Sequence, residues 1–311
     1  MKNSKIYPWV VVALLWVVAL LNYMDRQMLS TMRESMQIDI AELESAVNFG
    51  RLMAIFLWIY GLVSPFAGAV ADRVSRKWLI IGSLGVWSAV TLLMGYCTTY
   101  SQVFWLRALM GVSEALYIPA GLSLIADYHA GKSRSFAVGI HMTGLYLGQA
   151  VGGFGATLAE AFSWQQTFHW FGIIGVLYAV LLIFCLHEKR QPEKEAAAEA
   201  PAQKIPVLKG FGMIFSNIAF WVILFFFAST SLPGWATKNW LPTLFAESLG
   251  VPMAQAGPIS TITIALSSFV GVIVGGILSD KWVQKNIRGR VYTGAIGLGM
   301  TIPALALLGF G

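Results

Sequence analysis

The sequence is short of charge, histidine and cysteine. Of 311 residues only 12% are Asp, Glu, Lys or Arg, where a water-soluble domain carries about a quarter. That scarcity excludes an ordinary soluble globular chain. The formal charge of +6 is not a nucleic-acid footprint, because its distribution follows membrane topology, described below. Two cysteines, Cys97 and Cys185, cannot build a disulfide framework, and they fall at opposite membrane faces, so no bridge between them is expected. His141 and His169 lack partners at metal-ligand spacing. A P-loop, an H-E-x-x-H pair and a nucleophile elbow are all missing, and Gly153-Phe-Gly155 follows no strand. No catalytic residue, cofactor or metal is expected. The apolar run after Lys2 and Lys5 is too long for a cleavable leader and lacks a small-residue cleavage site, so it reads as a retained span. Alternating strand patterns are absent too, which excludes a β-barrel.

Apolar residues, in contrast, make up 57% of the chain. Windows of roughly 18 or more recur, the signature of an all-α polytopic membrane protein. Spans are predicted at 8–29, 50–70, 78–97, 102–124, 134–158, 165–186, 211–232 (extending to 246), 256–279 and 291–311. Basic residues set the orientation. Arg73, Arg76 and Lys77, then Lys132 and Arg134, then Lys189, Arg190 and Lys194, then Lys281, Lys285 and Arg288 all fall on one side. The first loop on the other side carries Glu34, Asp39, Glu42 and Glu44. The N-terminus is therefore expected in the cytoplasm. Residues 187–209, rich in Ala, Pro and mixed charge, read as a cytoplasmic linker between a six-helix bundle (1–186) and a second bundle (210–311).

The two sides of that linker repeat a pattern. Gly68-A-V-A-Asp72-Arg73-V-S-R-Lys77 follows the second span, and Gly276-I-L-S-Asp280-Lys281-W-V-Q-Lys285 follows the eighth. Aligning Trp9 with Trp221 places Arg26 opposite Lys238. Repeated halves of this kind mark transporters built around a midplane site.

Four ionisable residues sit at membrane depth: Asp25 and Arg26 in L-N-Y-M-D-R-Q, and Arg107 and Glu114 in R-A-L-M-G-V-S-E. Such charge is costly there and marks either a structural ion pair or a substrate or proton pathway. Counted at about 1.5 Å per residue, Arg107 is roughly level with Asp25, and Glu114 lies nearer the cytoplasm. An Asp25–Arg107 pair is expected, with Arg26 facing a cavity and Glu114 without a fixed partner. An arginine fork suits a carboxylate, and a buried carboxyl suits proton carriage. Tyr23, Tyr60, Tyr117, Asn239 and Trp240 read either as hydroxyl or ring contacts to a substrate or as packing, and Lys238 as a second anion contact or a snorkelling lysine. Pro233-Gly234 is expected to break the seventh span. Gly144, Gly148 and Gly152 form a stripe for close helix packing.

These motifs resemble the major facilitator superfamily. Its loop signature is matched by Gly68, Asp72, Arg73, Arg76 and Lys77, with Ser75 where a glycine is usual. N-Y-x-D-R at Asn22 to Arg26 and R-x-x-x-G-x-x-E at Arg107, Gly111 and Glu114 resemble the anion:cation symporter family, whose members carry sugar acids and other organic anions. The resemblance implies a secondary active transporter importing an organic anion, a sugar acid foremost, with protons by alternating access. It implies substrate contact at Arg26, Tyr23, Asn22, Tyr60, Lys238 and Asn239, and proton coupling at Asp25, Arg107 and Glu114. Gating falls to Gly68, Asp72, Arg73, Arg76, Lys77, Asp280 and Lys281. A monomer in a bacterial inner membrane is expected. Family members have twelve spans, so nine imply an incomplete second bundle and a fragment of a longer protein. A Spinster-like lipid carrier shares similar motifs; a membrane enzyme or receptor is disfavoured by the missing catalytic constellation and soluble ligand-binding domain.

Overall fold

Inside a bilayer, a chain must satisfy its backbone hydrogen bonds within each segment, so long apolar runs become long helices. The computed structural model describes residues 6–71, 73–129, 133–188, 207–286 and 288–310, and every regular element among them is helical. The helices are α1 (Tyr7–Thr31), α2 (Arg33–Asp39), α3 (Ala46–Ala71), α4 (Arg76–Met94), α5 (Tyr100–Ala115), α6 (Tyr117–Tyr128), α7 (Arg134–Gly152), α8 (Gly155–Ala161) and α9 (Trp164–Cys185). They continue with α10 (Val207–Phe215), α11 (Ile218–Leu249), α12 (Met253–Lys285) and α13 (Gly289–Phe310); a 3-10 turn, Ala41–Glu44, follows α2. Among the described residues, seven helical stretches are long and apolar enough to cross a membrane: α1, α3, α4, α5 with α6, α9, α11 and the first part of α12. The other two predicted spans, at α7–α8 and α13, are also helical.

The chain falls into two compact units. The first comprises Met1–Gln203 with Pro242–Ile262. Its main helix pairs are α1 with α7, α4 with α9, and α3 with α5. The expected glycine stripe is what joins α1 to α7. A Cβ on Gly144 would lie 2.6 Å from the Trp16 carbonyl oxygen, one on Gly148 would strike the Leu20 carbonyl, and one on Gly152 would lie 2.7 Å from that of Met24. Both series advance four residues at a time, so the helices run side by side with backbones touching. Large apolar side chains such as Trp58, Leu62, Trp105, Trp170 and Leu177 point outward, as a lipid-facing surface requires.

The fourth predicted span is two helices, not one. Pro119 has no N–H to offer the Ala115 carbonyl, and the ladder breaks at Leu116, two residues after Glu114. The fifth is interrupted at Gly153 and Phe154. The expected break at Pro233-Gly234 is not found: α11 runs unbroken through both residues. One proline deletes one backbone bond, and a long helix absorbs that loss, as α3 does at Pro65.

At one end of the first unit, α2 is fastened to α9, because Asp39 accepts hydrogen bonds from Trp164 Nε1 and Gln165 Nε2, both at 2.7 Å. Burial raises the Glu34 carboxyl there, with Arg33 opposing and Glu160 and Glu247 adding to the shift. The returning segment is secured by Thr157 donating to the Ala254 carbonyl at 2.8 Å and by Ala156, Met253 and Ala256 packing together. The second unit, Lys204–Leu241 with Thr263–Gly311, turns α10 onto α11 through Trp221 Nε1, which donates to the Phe215 carbonyl at 2.9 Å.

Candidate functional site

Consecutive residues on a helix diverge by about 100°, so Asp25 and Arg26 must face different neighbours. Arg26 turns toward α3 and α5. Its Nε donates to Glu114 Oε2 at 2.5 Å, with the two side chains 7% and 0% exposed. Its guanidinium carbon lies 4.8 Å from the Tyr23 ring centroid and 4.9 Å from those of Phe56 and Tyr60. Asp25 turns toward α4, where it accepts from the Thr91 hydroxyl at 3.3 Å. Arg107 lies over the same Phe56 ring, 4.5 Å from its centroid, with Nη1 3.3 Å from Met110 Sδ.

This arrangement corrects two expectations. Asp25 and Arg107 form no ion pair, and Glu114 does have a fixed partner, Arg26. A level count along ideal helices ignores azimuth and the reach of a long side chain. Arg26 spans the offset to Glu114, while Asp25 points to the far side of α1. Arg26 itself is buried among aromatic rings and a carboxylate.

Buried polar groups ordinarily find partners. Here Arg26 Nη2, Arg107 Nε, Glu114 Oε1 and Asp25 Oδ1 are buried without a hydrogen-bond partner. Two unpaired guanidinium donors beside two under-used carboxylates are a set of groups able to take an anion and a proton. Asn22, fully buried one turn before Arg26, lies against Glu114. The motif glycine Gly111 sets the spacing: a Cβ there would be 2.8 Å from the Phe56 carbonyl and 3.2 Å from the Tyr60 nitrogen. It lets α5 press onto α3 where both rings are carried.

The remaining predicted residues are spread more widely. Tyr117 donates to the Leu15 carbonyl or His141 Nε2, each at 2.8 Å, and so is built into the packing. Lys238 lies in the second unit, 5.7 Å from the Trp235 ring, with Asn239 and Trp240 half-buried beside it. At the loop motif, Arg76 forms a buried ion pair with Asp127 at the end of α6. Lys77 donates to the Ile183 carbonyl at 2.7 Å, and Arg73 is exposed. Ser75, where the motif has glycine, donates to Glu188 at 2.5 Å, and the same carboxylate accepts the Arg76 backbone N–H at 3.1 Å. Nothing crowds Gly68 within 4 Å. Lys281 is exposed; Asp72 and the Asp280 side chain lie outside the described residues.

Sequence reasoning missed Phe56, Thr91 and Gln149, whose buried Nε2 has no partner. Apolar or hydroxyl-bearing residues inside apolar spans carry no signal of their own. Only position relative to Arg26, Arg107 and Asp25 singles out Phe56 and Thr91, and only its unpartnered amide singles out Gln149.

Against known proteins, residues 15–311 match the family model described as Major Facilitator Superfamily. The hexuronate transporter of Bacillus subtilis is 28% identical over 290 residues, covering 89% of this chain and 66% of that protein. The probable galactarate/D-glucarate transporter of Escherichia coli K12 is 25% identical over 328 residues, covering 97% and 70%. The chain spans about two thirds of the length of the curated relatives it matches. Among solved structures, an inward-facing, unoccupied bacterial homologue of the lysosomal transporter Spinster superposes with a TM-score of 0.73 at 22% identity, covering 91% of this chain and 64% of that one. That likeness shows the fold. The matches are transporters, not enzymes, and with a family model covering nearly its whole length this chain belongs to the major facilitator superfamily.

Proposed function

We propose that the protein is a secondary active transporter of organic anions, a sugar acid foremost, driven by protons. The observation that carries this reading is the buried pair of Arg26 with Glu114, flanked by the unpaired donors of Arg26 Nη2 and Arg107 Nε. Formally, two guanidiniums and two carboxylates cancel. A proton on one carboxyl leaves the site with a single positive charge in a low-dielectric interior, where uncompensated charge is costly. A substrate carboxylate restores neutrality. It also supplies the acceptors that the guanidinium donors lack, through the bidentate geometry arginine favours. Glu114 is the carboxyl whose neutralisation frees Arg26, so proton and anion are expected to enter together. Asp25, held only by Thr91, stands as the second proton carrier, with Arg107 as the fixed charge between them.

Tyr23, Tyr60 and Asn22 would meet sugar hydroxyls, with Lys238 and Asn239 contributing from the second repeat. Names of the curated relatives, a hexuronate transporter and a galactarate/D-glucarate transporter among them, support this substrate class. Arg73, Arg76 and Lys77, with Gly68, Asp72 and the repeat pair Asp280 and Lys281, would form the cytoplasmic gate of an alternating-access cycle. Nine spans, an N-terminus in the cytoplasm, residence in a bacterial inner membrane and a monomeric state complete the reading.

Proteoliposomes containing the purified protein test it. Glucuronate and galactarate should accumulate when the outside is acidic, while glucose and a lysolipid should not. Lysolipid movement without sugar-acid uptake would overturn the proposal in favour of a lipid carrier.

A further inference from the structure

We infer that Phe56 is a positioning residue of the anion site: its ring is shared by the two buried arginines and compensates their charge when Glu114 is neutral. The inference rests on the anion–proton reading above.

Phe56 is 1% exposed, so solvent does not screen its surroundings. The guanidinium carbons of Arg26 and Arg107 lie 4.9 and 4.5 Å from the centre of this one ring. An aromatic face carries negative quadrupole density and attracts a cation within about 6 Å, most strongly where water is excluded. Two like charges sharing one ring is an arrangement that ordinary core packing does not call for. The ring cannot drift away from it. Its own backbone is pinned by Gly111, and Tyr60 backs it with ring centroids 5.8 Å apart.

The charged and titratable groups around the site are few. From α1 come Tyr23, Asp25 and Arg26; from α3, Tyr60; from α5, Arg107 and Glu114. From α6 comes Tyr117, which is bonded to His141 of α7, and Tyr146 of α7 stands near Tyr23. The part of α4 that faces Asp25 offers the hydroxyl of Thr91. Once Glu114 takes a proton, Asp25 is the one carboxylate left in this set, and it bonds to Thr91 on the far side of α1. The faces of Phe56, Tyr23 and Tyr60 then hold Arg26 where a substrate carboxylate can reach it. Phe56 alone of the three also serves Arg107. Without its π density, losing the Glu114 charge would be harder, and anion binding would demand more acid.

The test replaces Phe56 with a graded series of fluorinated phenylalanines, which keep the ring's shape while draining its negative face. Glucuronate affinity of the purified protein is titrated across pH, and melting temperature is recorded in parallel for the series in the parent and in Glu114→Gln. Affinity at neutral pH should fall stepwise, by about tenfold for the fully fluorinated ring, and the pH midpoint of binding should move down by about one pH unit. Flat affinity and an unmoved midpoint would overturn the inference while leaving the transport reading intact. If the unsubstituted protein binds no sugar acid, the transport reading falls and the melting temperatures decide the role of Phe56. Fluorination should then lower them more in Glu114→Gln than in the parent. Equal lowering in both would overturn it.

Discussion

Removing Arg26 should damage the protein far more than removing a surface arginine, and the damage should depend on Glu114. The pair is 2.5 Å long and its side chains are 7% and 0% exposed, so neither water nor salt offsets the loss. Exposed ion pairs contribute about 0–1 kcal/mol. Stripping one partner from a buried pair costs about 3–5 kcal/mol, because the other charge is left uncompensated. Arg26→Ala should therefore lose stability at the upper end of that range, as the cavity among Tyr23, Phe56 and Tyr60 adds to the stranded carboxylate. Glu114→Gln should cost less, since the three rings continue to hold Arg26. The double variant should be more stable than the sum of the single losses implies, by about 2 kcal/mol, within the range for groups in direct contact. Acid should narrow the gap between Arg26→Ala and the double variant, because a protonated Glu114 needs no counter-ion. Unfolding of all four proteins in detergent, followed by tryptophan fluorescence at two pH values, measures each quantity. Strict additivity at both pH values would refute the assignment of the pair.

Two further outcomes are expected. Gly111→Ala should weaken sugar-acid binding by about tenfold or more without altering any charge, since its Cβ meets the Phe56 carbonyl at 2.8 Å and backbone cannot yield as a side chain can; wild-type affinity in titration calorimetry would count against the clamp. A membrane-impermeant maleimide should label Cys185, which is exposed, from the cytoplasmic side only, and should leave Cys97 unmodified, since it is buried with its thiol pushed up to about 11; labelling of Cys185 from the outside would reverse the topology.

The helical segments were legible because apolar runs have no other way to cross a bilayer, and the glycine stripe because close backbone approach needs repeated small residues. The four membrane-depth charges were legible for the same energetic reason. Their partners were not. Pairing depends on which way each residue points around its helix axis, and Asp25 and Arg26 diverge by a quarter turn or more. Phe56 was invisible because a phenylalanine in an apolar span has no distinguishing neighbour in sequence; its arginines arrive from α1 and α5. The break at Leu116 could have been read from Pro119, whereas Pro233 shows that the same residue type leaves α11 unbroken. Ser75 looked like a departure from a loop signature, and in the structure it holds Glu188.

The central claim is that a proton on Glu114 releases Arg26 to bind the substrate anion. Glutamine imitates the neutral carboxyl and cannot cycle. Glu114→Gln in proteoliposomes should still exchange labelled glucuronate for unlabelled glucuronate in counterflow. It should fail to concentrate glucuronate when the outside is made acidic. Accumulation equal to that of the parent protein under the same pH gradient would contradict the account.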